Sequence, residues 1–291
     1  YMGGPAYHDR DGLIWVDGHL LPWRDARLHM LTHALHYASS VFEGERAYEG
    51  NIFKLTEHTQ RLHYSASQMG FDIPWSVAQI DTACEEILVA NQITDGYVRP
   101  IAWRGSEMMG VSAQENTIHL GIAAWPWPSY FSAEARNFGI KLKTSLWRRP
   151  SPDTAPVHAK AAGLYMICTL SKHKAESEGY DDALMLDYRG RIAEATGANI
   201  FMLIDGKLHT PIPDCFLDGI TRRTVIELAQ AKGIDVVERI IMPEDLSTAQ
   251  EVFLTGTAAE VTPVGKIDEY EFEVGEVTRL MMENYESLVR M

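Results

Sequence analysis

The sequence predicts a mixed α/β fold divided into two domains, and three observations carry that prediction. Runs rich in β-branched and aromatic residues alternate with amphipathic helical stretches. The 291 residues, 46% of them hydrophobic, are enough to bury a large core without help from disulfides or metal. The stretch Trp125-Pro126-Trp127-Pro128-Ser129-Tyr130-Phe131 carries two prolines two residues apart, which remove backbone donors and restrict their neighbours, so it marks a boundary. The expected partition is residues 1–125, an interdomain loop over 126–137, and residues 138–291.

The first domain opens with Leu13-Ile14-Trp15-Val16-Asp17-Gly18-His19-Leu20-Leu21, apolar runs flanking the Asp-Gly pair that a two-residue hairpin turn prefers. Helical periodicity follows over 56–69 and 76–91, and strand composition over 97–103 and 117–124. In the second domain strands are expected near 140–146, 183–187, 200–204, 235–240 and 251–254. Helices are expected over 163–177, 220–232 and 276–288. A second Asp-Gly pair, Asp205-Gly206, turns the 200–204 strand into the short run 207–210.

Forty Asp and Glu against 26 Lys and Arg give a formal charge of −14, which disfavours attraction to nucleic acid or an anionic membrane surface. A small-molecule substrate or a protein partner suits that balance better. Cys84, Cys168 and Cys215 are far apart, odd in number and form no C-x-x-C pair, so a disulfide framework is not expected. No run approaches the roughly 18 consecutive apolar residues of a membrane-spanning helix, and the first residues have neither a basic n-region nor an apolar h-region. The expectation is a soluble, untargeted, cytoplasmic protein.

Three kinds of residue cluster bear on chemistry. His29, His33 and His36 have partial metal-ligand spacing, but Met30 stands where a zincin motif places its general base, so packing roles are expected and no metal. The common nucleotide loops, G-x-x-x-x-G-K-[ST] and G-x-G-x-x-G, do not occur. Asp218-Gly219-Ile220-Thr221 instead runs straight into an amphipathic helix, whose free amides and positive dipole end suit a phosphate. Thr255-Gly256-Thr257-Ala258-Ala259-Glu260 allows close backbone approach and supplies hydroxyl donors. Lys160, in Val157-His158-Ala159-Lys160-Ala161-Ala162-Gly163, has small apolar neighbours and no carboxylate close in sequence, the setting in which a lysine becomes a nucleophile toward carbonyls.

From Leu13 to about Gly265 the chain resembles the fold-type IV pyridoxal-phosphate (PLP) enzymes, and within them the branched-chain-amino-acid aminotransferase family. The blocks that carry the resemblance are His33-Ala34-Leu35-His36-Tyr37, Val41-Phe42-Glu43-Gly44-Glu45-Arg46, Tyr97-Val98-Arg99-Pro100, Ala159-Lys160-Ala161, Glu194-Ala195-Thr196-Gly197-Ala198-Asn199, Gly219-Ile220-Thr221-Arg222 and Gly256-Thr257-Ala258-Ala259-Glu260. Each block is short, but their joint order and spacing are specific. The resemblance implies a small N-terminal α/β domain and a larger C-terminal PLP-binding domain with a barrel-like core. It implies transamination of branched-chain L-amino acids with 2-oxoglutarate by ping-pong kinetics, and a homodimer or higher homo-oligomer.

The same resemblance assigns roles. Lys160 carries PLP as a Schiff base and acts as general acid and base, Glu194 pairs with the pyridine nitrogen, and Tyr165 meets the phenolic oxygen. Arg61, Ile220, Thr221 and Thr257 meet the phosphate, with Gly197, Ala198, Asn199, Leu217, Gly219 and Gly256 completing the cofactor site. Tyr37, Phe42, Gly44, Arg46, Tyr97, Trp127 and Tyr130 line the substrate side, Arg99 meets the distal carboxylate of glutamate, and the amides of Thr257 and Ala258 take the α-carboxylate.

Three departures from the family pattern stand out: Glu45 replaces a usually apolar residue, with its carboxylate expected to face solvent or Arg46, Asp218 replaces a frequent proline, and Ala195-Thr196 stand where small residues vary. Competing readings are D-amino-acid transaminase, (R)-selective amine transaminase and aminodeoxychorismate lyase of the same fold. From other classes come a metal-dependent hydrolase built on His29, His33 and His36, and a non-catalytic PLP-binding or interaction protein.

Overall fold

The computed structural model describes residues 6–127 and 133–291. The chain divides into two compact units, Tyr1–Pro128 with Ala159–Gly163, and Ser129–His158 with Leu164–Met291. The short segment 159–163 is therefore built into the first unit, although the sequence reading kept 138–291 whole.

In the first unit, β1 (Leu13–Val16) and β2 (His19–Pro22) form the expected hairpin, with Val16 opposite His19. Asp17 and Gly18 turn it with positive φ at both positions, the requirement that selects Asp-Gly. Next come α1 (His33–Tyr37), β3 (Ser40–Phe42), β4 (Glu45–Tyr48) and β5 (Asn51–Ile52). The helices α2 (Leu55–Gln68) and α3 (Val77–Ala90) follow. Ser76 starts α3 with a capping box to Gln79, satisfying two end groups reciprocally. β6 (Gly96–Arg104) and β7 (Ile118–Pro126) are the long central strands. Among the described residues the sheet runs β2-β1-β7-β6-β4-β5, with β3 also paired to β6. β7 extends to Pro126, two residues past its expected end, because a proline at the strand terminus, opposite Gly96, interrupts no later ladder bond.

The second unit contains α4 (Ala133–Phe138), β8 (Ile140–Arg149), α5 (Met166–Ser177), β9 (Asp182–Asp187), β10 (Ile192–Ala195), β11 (Asn199–Ile204) and β12 (Lys207–Pro211). It continues with α6 (Ile220–Ala231), β13 (Val236–Arg239), β14 (Glu251–Gly256), β15 (Glu260–Ile267), β16 (Tyr270–Glu271) and α7 (Glu276–Leu288). Neighbouring strands run β10-β9-β8-β15-β14-β11, and β10 pairs back onto β11 through Glu194 and Asn199, closing a barrel-like sheet. Its interior is an aliphatic cluster that includes Leu142, Leu184, Ile200, Met202, Leu254 and Val264, all at most 1% exposed. At about 25 cal/mol per Å² of buried apolar surface, side chains of this size each contribute roughly 1.5–3 kcal/mol. Closure also removes sheet edges that would otherwise invite pairing with another chain. No helix of the described residues is long and apolar enough to cross a membrane.

Candidate active site

In the first unit Lys160 is fixed by its main chain. Its N–H donates to Ser65 Oγ at 2.9 Å, its carbonyl accepts from Phe42 N at 3.1 Å, and Ala161 bridges to Val41. The half-buried side chain extends over the Phe42 ring, with Nζ 5.0 Å from the ring centre. Arg99 reaches the same region, 4.7 Å from the Phe42 ring centre and 5.2 Å from that of Tyr97, and it donates to the Tyr97 hydroxyl at 2.9 Å. Trp127 lies 5.2 Å from Tyr97, ring centre to ring centre. Gly44 lies so close to the Tyr97 hydroxyl that any side chain there would collide with it. Arg46, opposite Tyr97 across β4 and β6, lies over Tyr48. Lys160, Phe42, Gly44, Arg46, Tyr97, Arg99 and Trp127 therefore occupy one neighbourhood. Tyr37 is built differently: it is 43% exposed, stacked on His33, with its hydroxyl donating to Met109 O. Tyr130 lies outside the described residues.

Arg61, in the same unit, does not stand alone. Its Nε and Nη2 fork onto the carboxylate of fully buried Glu43 at 2.6 and 2.8 Å, and His58 Nδ1 donates to the same group at 2.7 Å. Burial alone would raise the Glu43 pKa, but Arg61 and then His58 outweigh it and hold the carboxyl well below the usual range. Burial drives His58 the other way, downward, so at neutral pH it is the uncharged ring with its proton on Nδ1. His58 and Arg61, three apart on α2, share a helix face. That spacing was legible; the partner Glu43, in a block quoted only for its resemblance, was overlooked.

Glu45 corrects an expectation. It faces neither solvent nor Arg46, because successive residues of β4 point to opposite faces and Arg46 takes the other one. The Glu45 side chain is completely buried, with the buried Cys84 thiol as its hydrogen-bonding neighbour and no nitrogen or oxygen donor among the described residues. Burial, reinforced by the Glu43 charge, pushes its pKa well above the carboxylate range.

The three histidines do not converge on a metal position. His33 bonds Ser39 Oγ and Gly110 O, His29 Nδ1 accepts from Leu31 N, and His36 Nε2 bonds Met30 O. In the second unit Asp187, Asp214 and Cys215 do cluster, but Arg189 bridges the two carboxylates at 2.6 Å each, putting a cation where an ion would sit.

Several of the other residues expected at the cofactor gather in the second unit at the ends of β10, β11 and β14. Asn199 lies between Glu194 on one neighbouring strand and Thr255 on the other. Its Nδ2 donates to Leu217 O at 3.0 Å, and its Oδ1 fills the space where a Cβ on Gly219 would stand. A side chain on Gly256 would crowd Gly197 O and Ala198 Cβ, at 3.3 and 3.4 Å, whereas the space beside Gly197 is open. Glu194 is 9% exposed, with Arg149 Nε 3.2 Å from its Oε1. Arg149, itself 3% exposed, lies three residues past the end expected for its strand, and no local pattern marks it. Tyr165 ends the short turn that leads into α5 and is among the groups acting on Arg149. Gly219 starts α6 without a side-chain cap, so the first-turn amides, including those of Ile220 and Thr221, are not taken by the cap residue. Thr257 and Ala258 occupy the half-buried turn between β14 and β15, and the Thr255 hydroxyl is buried with no partner among the described residues.

A family model described as amino-transferase class IV matches residues 40–267. The chain belongs to that family. This class-IV aminotransferase is 43% identical over 283 residues to a probable branched-chain-amino-acid aminotransferase of Rickettsia felis, covering 95% of this chain and 96% of that protein. Its fold matches the crystal structure of the Escherichia coli branched-chain amino acid aminotransferase with a TM-score of 0.93 at 38% identity, over 96% of this chain and 95% of the other. It also matches a T.th. branched-chain amino acid aminotransferase complexed with N-(5'-phosphopyridoxyl)-L-glutamate, with a TM-score of 0.91 at 37% identity, over 97% of this chain and 95% of the other.

Proposed function

We propose that this aminotransferase uses pyridoxal 5'-phosphate to move the amino group between branched-chain L-amino acids and 2-oxoglutarate. The observation that carries the reading is Lys160, its main chain bonded on both sides and its amine held over Phe42, in a chain of this family. The residues fit the group chemically: an uncapped helix start suits a phosphate, and a buried carboxylate beside an arginine suits a protonated ring nitrogen. The solved relative bound to N-(5'-phosphopyridoxyl)-L-glutamate supports both the cofactor and glutamate as one amino-group partner.

Bound PLP supplies the electron-accepting ring that makes a substrate Cα–H acidic. Lys160 would hold the cofactor covalently and, once displaced, carry the Cα proton on Nζ. Glu194 would hold the ring nitrogen protonated, and Tyr165 would bond the phenolic oxygen. Arg61, aimed by Glu43, would take the phosphate with Ile220, Thr221 and Thr257, while Gly197, Ala198, Asn199, Leu217, Gly219 and Gly256 shape the surrounding backbone. Phe42, Gly44, Tyr97 and Trp127 present apolar surface that desolvates a branched side chain, with Tyr37, Arg46 and Tyr130 in the same role. Arg99 offers its guanidinium to a distal carboxylate, and the amides of Thr257 and Ala258 take the α-carboxylate. The enzyme acts in the cytoplasm as a homodimer, in keeping with three free, buried cysteines.

The test is the absorption spectrum of protein purified with PLP, before and after separate additions of L-leucine, L-glutamate, D-alanine and an (R)-amine. Loss of the cofactor's visible band with L-leucine and L-glutamate alone is expected, together with loss of turnover in Lys160→Ala at unchanged thermal stability. A response to D-alanine or the amine instead would overturn the substrate assignment.

A further inference from the structure

Arg222 has an unexpected position. It is the largest of the fully buried side chains, 2% exposed, in the first turn of α6, where the positive end of the helix dipole disfavours a cation. A guanidinium buried there requires anions, and two are present: Nη1 donates to Asp218 Oδ1 at 2.8 Å and Nη2 to Glu238 Oε2 at 2.5 Å. Nη2 also reaches Pro211 O at 3.2 Å, so Arg222 is tied to β12 and β13 at once.

Asp218 stands directly before Gly219, the residue that starts α6. A carboxylate there is a natural partner for the helix's first amides and would compete for them with a phosphate. It does not cap the helix. Its Oδ1 is taken by Arg222, and its Oδ2 lies 3.7 Å from Arg223 Nη1. On the other side of the same loop, Asn199 holds the carbonyl of Leu217.

We infer that Arg222 is a positioning residue for phosphate binding: it clamps the Asp218 carboxylate along the helix and so leaves the first-turn amides of α6 to the anionic ligand. The inference rests on the PLP reading above.

The experiment is titration of the cofactor-stripped, full-length protein with PLP and, separately, with inorganic phosphate, alongside thermal melts without ligand. Arg222→Gln is expected to weaken both ligands about tenfold. Adding Asp218→Ala, which removes the competing oxygen, should return affinity to within about threefold of wild type while the melting temperature stays low, a separation that a purely structural role would not give. Arg222→Lys keeps the buried charge but cannot span Asp218 and Glu238 together. It is the arm more tolerant of folding, expected to be about threefold weaker and likewise restored by Asp218→Ala. Affinity unchanged in both Arg222 variants, or a loss that Asp218→Ala does not restore, overturns the inference. A wild-type protein that binds inorganic phosphate but not PLP overturns the cofactor reading and leaves the clamp to be judged on phosphate alone by the same restoration.

Discussion

Each unit sets a buried carboxylate of the candidate site against an arginine, Glu43 with Arg61 and Glu194 with Arg149, and the two pairs are made differently. In the first unit Glu43 receives both prongs of the Arg61 fork and the His58 ring, three contacts at 2.6 to 2.8 Å. In the second, Arg149 approaches Glu194 through a single 3.2 Å contact, and its Nη1 reaches only Leu164 O at 3.5 Å and the Cys168 sulfur at 3.6 Å. A saturated pair fixes position, because displacing either member breaks several charge-assisted bonds. A loosely bonded pair chiefly keeps charge in place. Burial pushes the adjacent Cys168 thiol up to about 11, so it stays neutral and does not compete for Arg149. The first pair is suited to aiming Arg61, and the second to holding a negative charge inside the barrel wall.

This contrast can be broken by mutation. Glu43→Gln removes the charge that both Arg61 and His58 lean on and is expected to cost about 3–5 kcal/mol of unfolding free energy, measured by denaturant titration. Arg149→Gln should cost less, about 1–3 kcal/mol, because fewer good bonds are lost. It should weaken PLP binding more than it weakens the fold. Equal stability losses in the two variants would remove the distinction.

Glu43 and Glu45 sharpen the comparison further, since two buried carboxyls two residues apart respond to pH with opposite sign. The folded pKa of Glu43 is depressed, so its contribution is present above the ordinary carboxylate range and is lost as pH falls toward the folded value. That of Glu45 is raised, so stability is highest below the ordinary carboxylate pKa and declines as pH rises through the raised value. Glu45→Gln, which cannot ionise, should therefore stabilise the protein by roughly 1–2 kcal/mol at pH 8, with no gain at pH 4. Melting temperatures across that range would show it, and a parallel offset at every pH would refute the protonated-acid reading.

Much of this fold was legible where periodicity was clean. The Asp17-Gly18 hairpin, α3 behind Ser76 and α7 over Glu276–Leu288 follow from local chemistry alone. The strands β10 and β15 were missed for physical reasons. β10 is buried throughout and contains Glu194, so it shows neither alternation nor apolar composition. β15 contains Pro263 and Gly265, both poor strand residues, yet its ladder to β8 begins only at Val264, past the proline's missing donor. Among site residues, Lys160 was marked by its small neighbours and the α6 start by its glycine. Glu43, His58 and Arg149 gain their meaning from contacts between residues distant in sequence, which local patterns do not record.

The segment 159–163 gives the first unit a timing problem during synthesis. Val41 and Phe42 complete their edge contacts only with Ala161 and Lys160, so a nascent chain ending near residue 128 still lacks part of that unit. At about 5–20 residues per second the ribosome needs several seconds more to deliver the missing segment. Until then the β3 edge stays open to other partners, and the lysine proposed to do the chemistry is also the last piece of the structure that presents it.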